Sequence, residues 1–171
     1  MKIETQIIKN RSVILSGGTY EDRVKLIKEF KSVFLKELRG DVFTLREGMR
    51  DAQKFLKSAR NEFPIVPPVK GISKSQMSYS ELEDYHLEWI SQFKNVLVVI
   101  PEIYKLYEND PDYFFELLGF YLSKQHTFSG KNRFRFLMTS GKRIAKEFDR
   151  IPVLIGGARK LSEKDLEFIE L

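Results

Sequence analysis

The chain has 171 residues, 42% of them apolar, with no cysteine and two histidines, enough for a single domain over residues 1–171 that buries about two thirds of its unfolded surface. Without cysteine, disulfides, thiolate zinc sites, iron–sulfur clusters and a cysteine nucleophile are excluded, and His86 and His126 alone cannot complete a three-histidine metal centre. The 29 Lys and Arg against 24 Asp and Glu give +5, which admits a nucleic-acid or acidic partner without demanding one.

In chain order, residues 12–15 (SVIL) form an apolar run closed by Gly17-Gly18, and over 22–38 the residues Val24, Ile27, Phe30, Phe34 and Leu38 fall on one helical face. A second strand is expected at 42–45 and a helix at 49–61, where Ala52, Phe55, Leu56 and Ala59 repeat helically. Pro64, Pro67, Pro68 and Gly71 break regular structure, so residues 62–79 are expected to form an exposed loop. Ser80 with Glu83 has capping-box spacing and starts a helix carrying Trp89. Residues 96–100 (VLVVI) suit a central strand covered on both faces, because such a strand has no side to make polar. Asp110-Pro111 reads as an N-cap and first helical position, followed by a face of Tyr113, Phe114, Leu117, Leu118 and Tyr121. Strands at 134–139 and 153–155, a short helix at 142–148, and a terminal helix capped by Ser162 and Asp165 with Leu166 and Ile169 on its face complete the pattern.

Strands alternating with helices predict a three-layer α/β sandwich around a mainly parallel five-stranded sheet. Ligands of such sheets sit at the carboxyl ends of the strands, which directs attention to three turns. After the first strand come Gly17 and Gly18, then Glu21, Asp22 and Arg23. A glycine turn before a helix can hold a phosphate, but the two carboxylates suit an unliganded helix start better. After the central strand comes Glu102, which could orient a water or a metal ion, or begin a solvent-facing loop. Thr139, Ser140, Gly141, Lys142 and Arg143 follow the fourth strand as polar donors and cations.

These residues, with VLVVI-Pro101-Glu102 and RFLMTSG in this order, resemble the P-loop nucleoside triphosphatases of the AAA+ type, above all archaeal-style and initiator-like ATPase domains, over residues 11–171. The resemblance implies a P-loop-like fold in which Pro101 stands in place of a magnesium-binding Asp, Glu102 in that of the catalytic Glu, and Thr139 or Ser140 in that of a polar sensor. Residues 158–165 resemble the stretch that follows the fifth strand there and leads toward a lid. The phosphate-loop pattern departs: Asp22, Arg23 and Val24 occupy the Gly-Lys-Ser/Thr positions, removing the lysine and hydroxyl that phosphoryl transfer uses. The chain is also too short for a helical lid. No cofactor is expected, although ATP with magnesium is the one the resemblance would bring, and residual anion contact would fall to Gly17, Gly18 and Arg23.

Three functions compete. The first is an inactive ATPase-fold adaptor in replication, recombination or a mobile-element function, with Lys124, Lys131, Arg133 and Arg135 lining a basic, aromatic-interleaved stretch for DNA or RNA. The second is a nucleotidyltransferase, because Gly17-Gly18-Thr19 resembles the opening of those enzymes; their paired histidines are missing here. The third is an interaction domain, for which Tyr104, Tyr107, Tyr113, Phe114, Phe115, Phe120 and Tyr121 exceed what one helix face buries. A protein partner or a second copy of the chain is expected under the first and third. No apolar run approaches the roughly 18 residues of a membrane span, the N-terminus lacks the apolar core of a signal peptide, and a cytoplasmic location without membrane contact is expected.

Overall fold

The computed structural model describes residues 3–62, 94–127, 133–147, 150–151 and 164–171. Five parallel strands, β1 (Ser12–Ser16), β2 (Asp41–Thr44), β3 (Asn95–Ile100), β4 (Arg133–Ser140) and β5 (Leu166–Glu170), pair in the order β2-β3-β4-β1-β5. A 3₁₀ helix (Thr5–Lys9) and α1 (Tyr20–Leu38) lie on one face; α2 (Ala52–Glu62), α3 (Tyr104–Asn109) and α4 (Pro111–Thr127) lie on the other. The architecture is a three-layer α/β sandwich.

Each central strand feeds both cores by alternation, since successive side chains of a strand point to opposite faces. Val13, Leu15, Leu97, Val99 and Leu137 pack beneath Phe30 and Phe34 of α1, whereas Ile14, Val96, Val98, Ile100, Phe134, Phe136 and Met138 pack toward α2, α3 and α4. Burial on both faces is why VLVVI carries no polar position. Helix α4 is buried nearly all round: Tyr113, Phe114, Phe115, Leu117, Leu118, Tyr121 and Leu122 are all in the core. Most of the aromatic surplus of residues 104–121 is thus absorbed internally, with Tyr107 and Phe120 packed on the same core, while Tyr104 stays half-exposed beside the Lys142 ammonium. The Tyr113 and Tyr121 hydroxyls find no hydrogen-bond partner among the described residues, and burial pushes both far above the usual phenol range.

At the amino end of the sheet, Ser12 Oγ donates to Gln125 Oε1, Gln125 Nε2 donates to the Asp165 carbonyl at 2.9 Å, and Phe136 N–H donates to Ser12 Oγ at 3.0 Å. This buried network ties β1, β4 and α4 to the start of β5, and leaves Ser12 and Gln125 no cost of unpaired burial.

Two expected elements are corrected. Residues 166–170 are a strand, not a terminal helix: Leu166 and Ile169 have helical spacing, but Phe168 packs on the Leu166 side and Ile169 on the α1 side, with Ile14 opposite Phe168 in register. Five residues are too few to separate period 3.6 from period 2, and the open edge of β1 supplies the deciding hydrogen bonds. Residues 142–147 form no helix. Ser140 Oγ instead donates to the Lys142 carbonyl and accepts from its N–H, closing a local turn that competes with helix formation. The expected strand at 153–155, the helix from Ser80, residues 63–79 of the expected loop, and His86 lie outside the described residues. Among the described residues, no helix is long and apolar enough to cross a membrane.

Candidate functional site

The strand order sets the carboxyl ends of β1, β4 and β3 side by side, so three turns that are distant in sequence meet there. Gly17 and Gly18 leave β1 with φ of 82° and 63°, a backbone that residues with a β-carbon resist. A β-carbon on Gly18 would also stand 2.8 Å from that of Leu171. The turn delivers Thr19 as N-cap of α1: its hydroxyl accepts from Asp22 N–H at 3.1 Å, while Asp22 Oδ2 accepts from Thr19 N–H at 3.2 Å and from the Thr19 hydroxyl at 2.7 Å. Those bonds hold the Asp22 carboxyl below the usual carboxylate range.

One turn into α1, Arg23 points back beneath the loop. Its Nε donates to Glu102 Oε1 at 2.6 Å, and one terminal nitrogen donates to the Gly17 and Gly18 carbonyls at 2.8 and 2.9 Å. Both side chains are shielded, with 7% of Arg23 and 13% of Glu102 exposed. Glu102 follows β3 with φ of 52°. It is pinned in that left-handed backbone by its N–H to Thr139 Oγ1 at 3.2 Å and by its second carboxylate oxygen, which accepts from Gly141 N–H at 3.1 Å. A β-carbon on Gly141 would come within 2.9 Å of the guanidinium, so glycine is what lets the β4 turn close over the pair.

Gly17, Gly18, Arg23, Glu102 and Thr139 therefore form one cluster. A phosphate-holding loop offers N–H groups to its ligand; here Gly17 and Gly18 turn carbonyl oxygens toward a cation, and Gly17 N–H is taken by the Ser140 carbonyl at 2.9 Å. The buried charges cancel within the cluster. Among the described residues, no group of His, Asp and Glu is arranged to hold a metal ion.

The basic stretch is divided. Lys124 stands on α4, its Nζ 5.3 Å from the Phe120 ring centroid. Arg133 and Arg135 alternate onto the opposite, α1 face of β4. Arg135 turns inward, donating to the Phe134 carbonyl at 2.7 Å and the Lys9 carbonyl at 3.3 Å, while its Nε has no partner among the described residues. Burial, then the neighbouring Arg133 charge, lower its pKa to about 10. Lys131 and the His126 side chain lie outside the described residues. Lys124, Arg133 and Arg135 are at the amino end of the sheet, away from the glycine turn.

Compared with known proteins, the chain matches no protein-family model and no curated sequence.

Two features escape a reading of the sequence. Arg23 reads there as an anion contact rather than as a partner of Glu102, because 79 residues separate them. Tyr20 is a large hydrophobic residue left 47% exposed at the start of α1, and its hydroxyl donates to Glu47 Oε1 at 2.7 Å. Glu47 raises the Tyr20 pKa, by accepting that hydrogen bond and by its charge.

Proposed function

We propose that this chain is a non-catalytic α/β domain of the P-loop ATPase type, acting as a binding or adaptor subunit in a nucleic-acid transaction. The observation that carries it is the Arg23–Glu102 pair. The glutamate that would polarise an attacking water serves as counter-ion to a shielded arginine, and that arginine occupies the carbonyl side of the glycine turn. Neither group is free to stabilise charge that develops in a transition state. The meeting of three strand-end turns supports the ATPase-type ancestry, and the net charge supports an anionic partner.

Thermal melting with and without ATP and magnesium tests the non-catalytic half. Nucleotide at a hundred times its dissociation constant would add about 2.7 kcal/mol, about 5–10 °C for a chain of this size. No shift is expected, and a shift of several degrees overturns the reading. Anisotropy titration of labelled DNA and RNA at two salt concentrations tests the other half: salt-sensitive binding is expected, and its absence at about 100 μM protein overturns it.

A further inference from the structure

Helix α2 follows the carboxyl end of β2 and buries Phe55, Leu56 and Ala59 against the sheet. Its opposite face carries Lys54, Lys57 and Asn61, and Arg46 and Arg50 precede it in the loop after β2; all five are exposed. Arg46, Lys54 and Lys57 line one groove of about 260 Å³ together with Glu47, Ser58, Asn61 and Glu62.

The ridge gathers four cations within twelve residues, and each of its carboxylates has a neighbour. Glu47 accepts the Tyr20 hydroxyl, Asp51 caps α2 by accepting Lys54 N–H at 2.9 Å, and Glu62 stands 3.8 Å from Arg46. Each acidic group of the segment is committed, while Arg50, Lys54 and Lys57 have no ion pair among the described residues. Elsewhere the exposed Lys142, Arg143 and Arg150 have carboxylate partners, whereas Lys25, Lys28, Lys36, Arg39, Lys94 and Lys146 have no ion pair among the described residues. On α1, lysines alternate with the exposed Glu21 and Glu29. The Tyr20–Glu47 bond also places an exposed aromatic ring beside the ridge, at the strand ends where open α/β sheets receive ligands.

We propose that Arg46, Arg50, Lys54 and Lys57 with Tyr20 form a binding surface for single-stranded nucleic acid, the cations tracking phosphates and the ring stacking on a base. This inference rests on the nucleic-acid reading above and moves its binding surface from residues 124–135 to the β2–α2 corner. Cations matched to phosphates and a ring open to any base are the combination that sequence-tolerant single-strand binding uses.

The test is anisotropy with labelled mixed-sequence oligonucleotides, single-stranded and duplex, between about 50 and 200 mM salt. The Arg50→Ala/Lys54→Ala/Lys57→Ala variant changes only exposed side chains, and circular dichroism melting checks that it folds as the parent does. Its slope of log affinity against log salt on a single strand should fall by about 2, at about 0.7 for each phosphate left without its cation. A control with Lys36, Lys94 and Lys146 changed to alanine removes equal charge from other exposed positions and should keep the parent slope. Tyr20→Ala should weaken single-strand binding about tenfold at unchanged slope, and Tyr20→Phe should restore it. The inference is overturned if the ridge variant keeps the parent slope, if the control loses as much, if duplex binds as tightly as single strand, or if polyglutamate competes as well as an oligonucleotide. Failure of the parent protein to bind any oligonucleotide would instead remove the nucleic-acid reading itself.

Discussion

Glu102 holds a left-handed backbone, φ 52°, at a cost of about 1 kcal/mol for a residue with a β-carbon. Three hydrogen-bonded partners, Arg23, Thr139 and Gly141, hold it there. Removing one member of a shielded ion pair leaves the other charge uncompensated, which for fully buried pairs costs about 3–5 kcal/mol. Glu102→Gln keeps the shape and removes the charge. It should destabilise the protein by about 2–4 kcal/mol in urea denaturation, somewhat below that range because 13% of the side chain meets water. Arg23→Met alone should cost a similar amount, and the double variant clearly less than the sum, since neither orphaned charge then remains. Additive losses would show that the two side chains are not energetically coupled.

At the scale of the element, the start of α1 carries the clearest pH dependence. The Thr19 hydroxyl and backbone N–H lower the Asp22 pKa in the folded state. A carboxyl depressed on folding contributes stability above its unfolded pKa of about 3.9, and that contribution is lost as pH falls through the lower folded value. The urea midpoint of the Asp22→Ala variant should therefore lie below that of the parent at neutral pH and converge on it below about pH 4. A constant offset down to pH 2 would assign the effect to propensity rather than charge. The capping box is only partly legible in the sequence: Glu21 and Asp22 suit a helix start, but the reciprocal bond to Thr19 needs the turn geometry. The longer elements show the same division. Helix α1, the buried strand β3 and the Asp110 cap, whose carboxylate accepts Tyr113 N–H at 3.1 Å, follow from local pattern and are readable as such. The strand at 166–170 and the loss of helix at 142–147 depend on a neighbouring edge and on one serine hydroxyl, which no window of residues contains. The Arg23–Glu102 pair is hidden for the same reason, because the sheet order, not the spacing, brings its members together.

At the scale of the molecule, the sheet is shared between two cores that do not touch except through its strands. Phe136 belongs to the core under α4 and Leu137 to the core under α1, one residue apart on β4 and both fully buried. Phe136→Ala should cost about 3–5 kcal/mol and Leu137→Ala about 2–5 kcal/mol, from reduced burial and the cavity left behind. If the strands transmit either loss to both faces, each variant unfolds in one transition, with the same midpoint by far-ultraviolet circular dichroism and by near-ultraviolet tyrosine signals. Separate midpoints would mean that one helical layer can leave while the sheet stays paired. Native stabilities run to about 5–15 kcal/mol, so removing both side chains, about 5–10 kcal/mol together, should lower the melting temperature of the double variant far below that of either single variant. A double variant that still melts cooperatively near the parent temperature would show that the two faces relax into the vacated space, and that packing on β4 is looser than its complete burial implies.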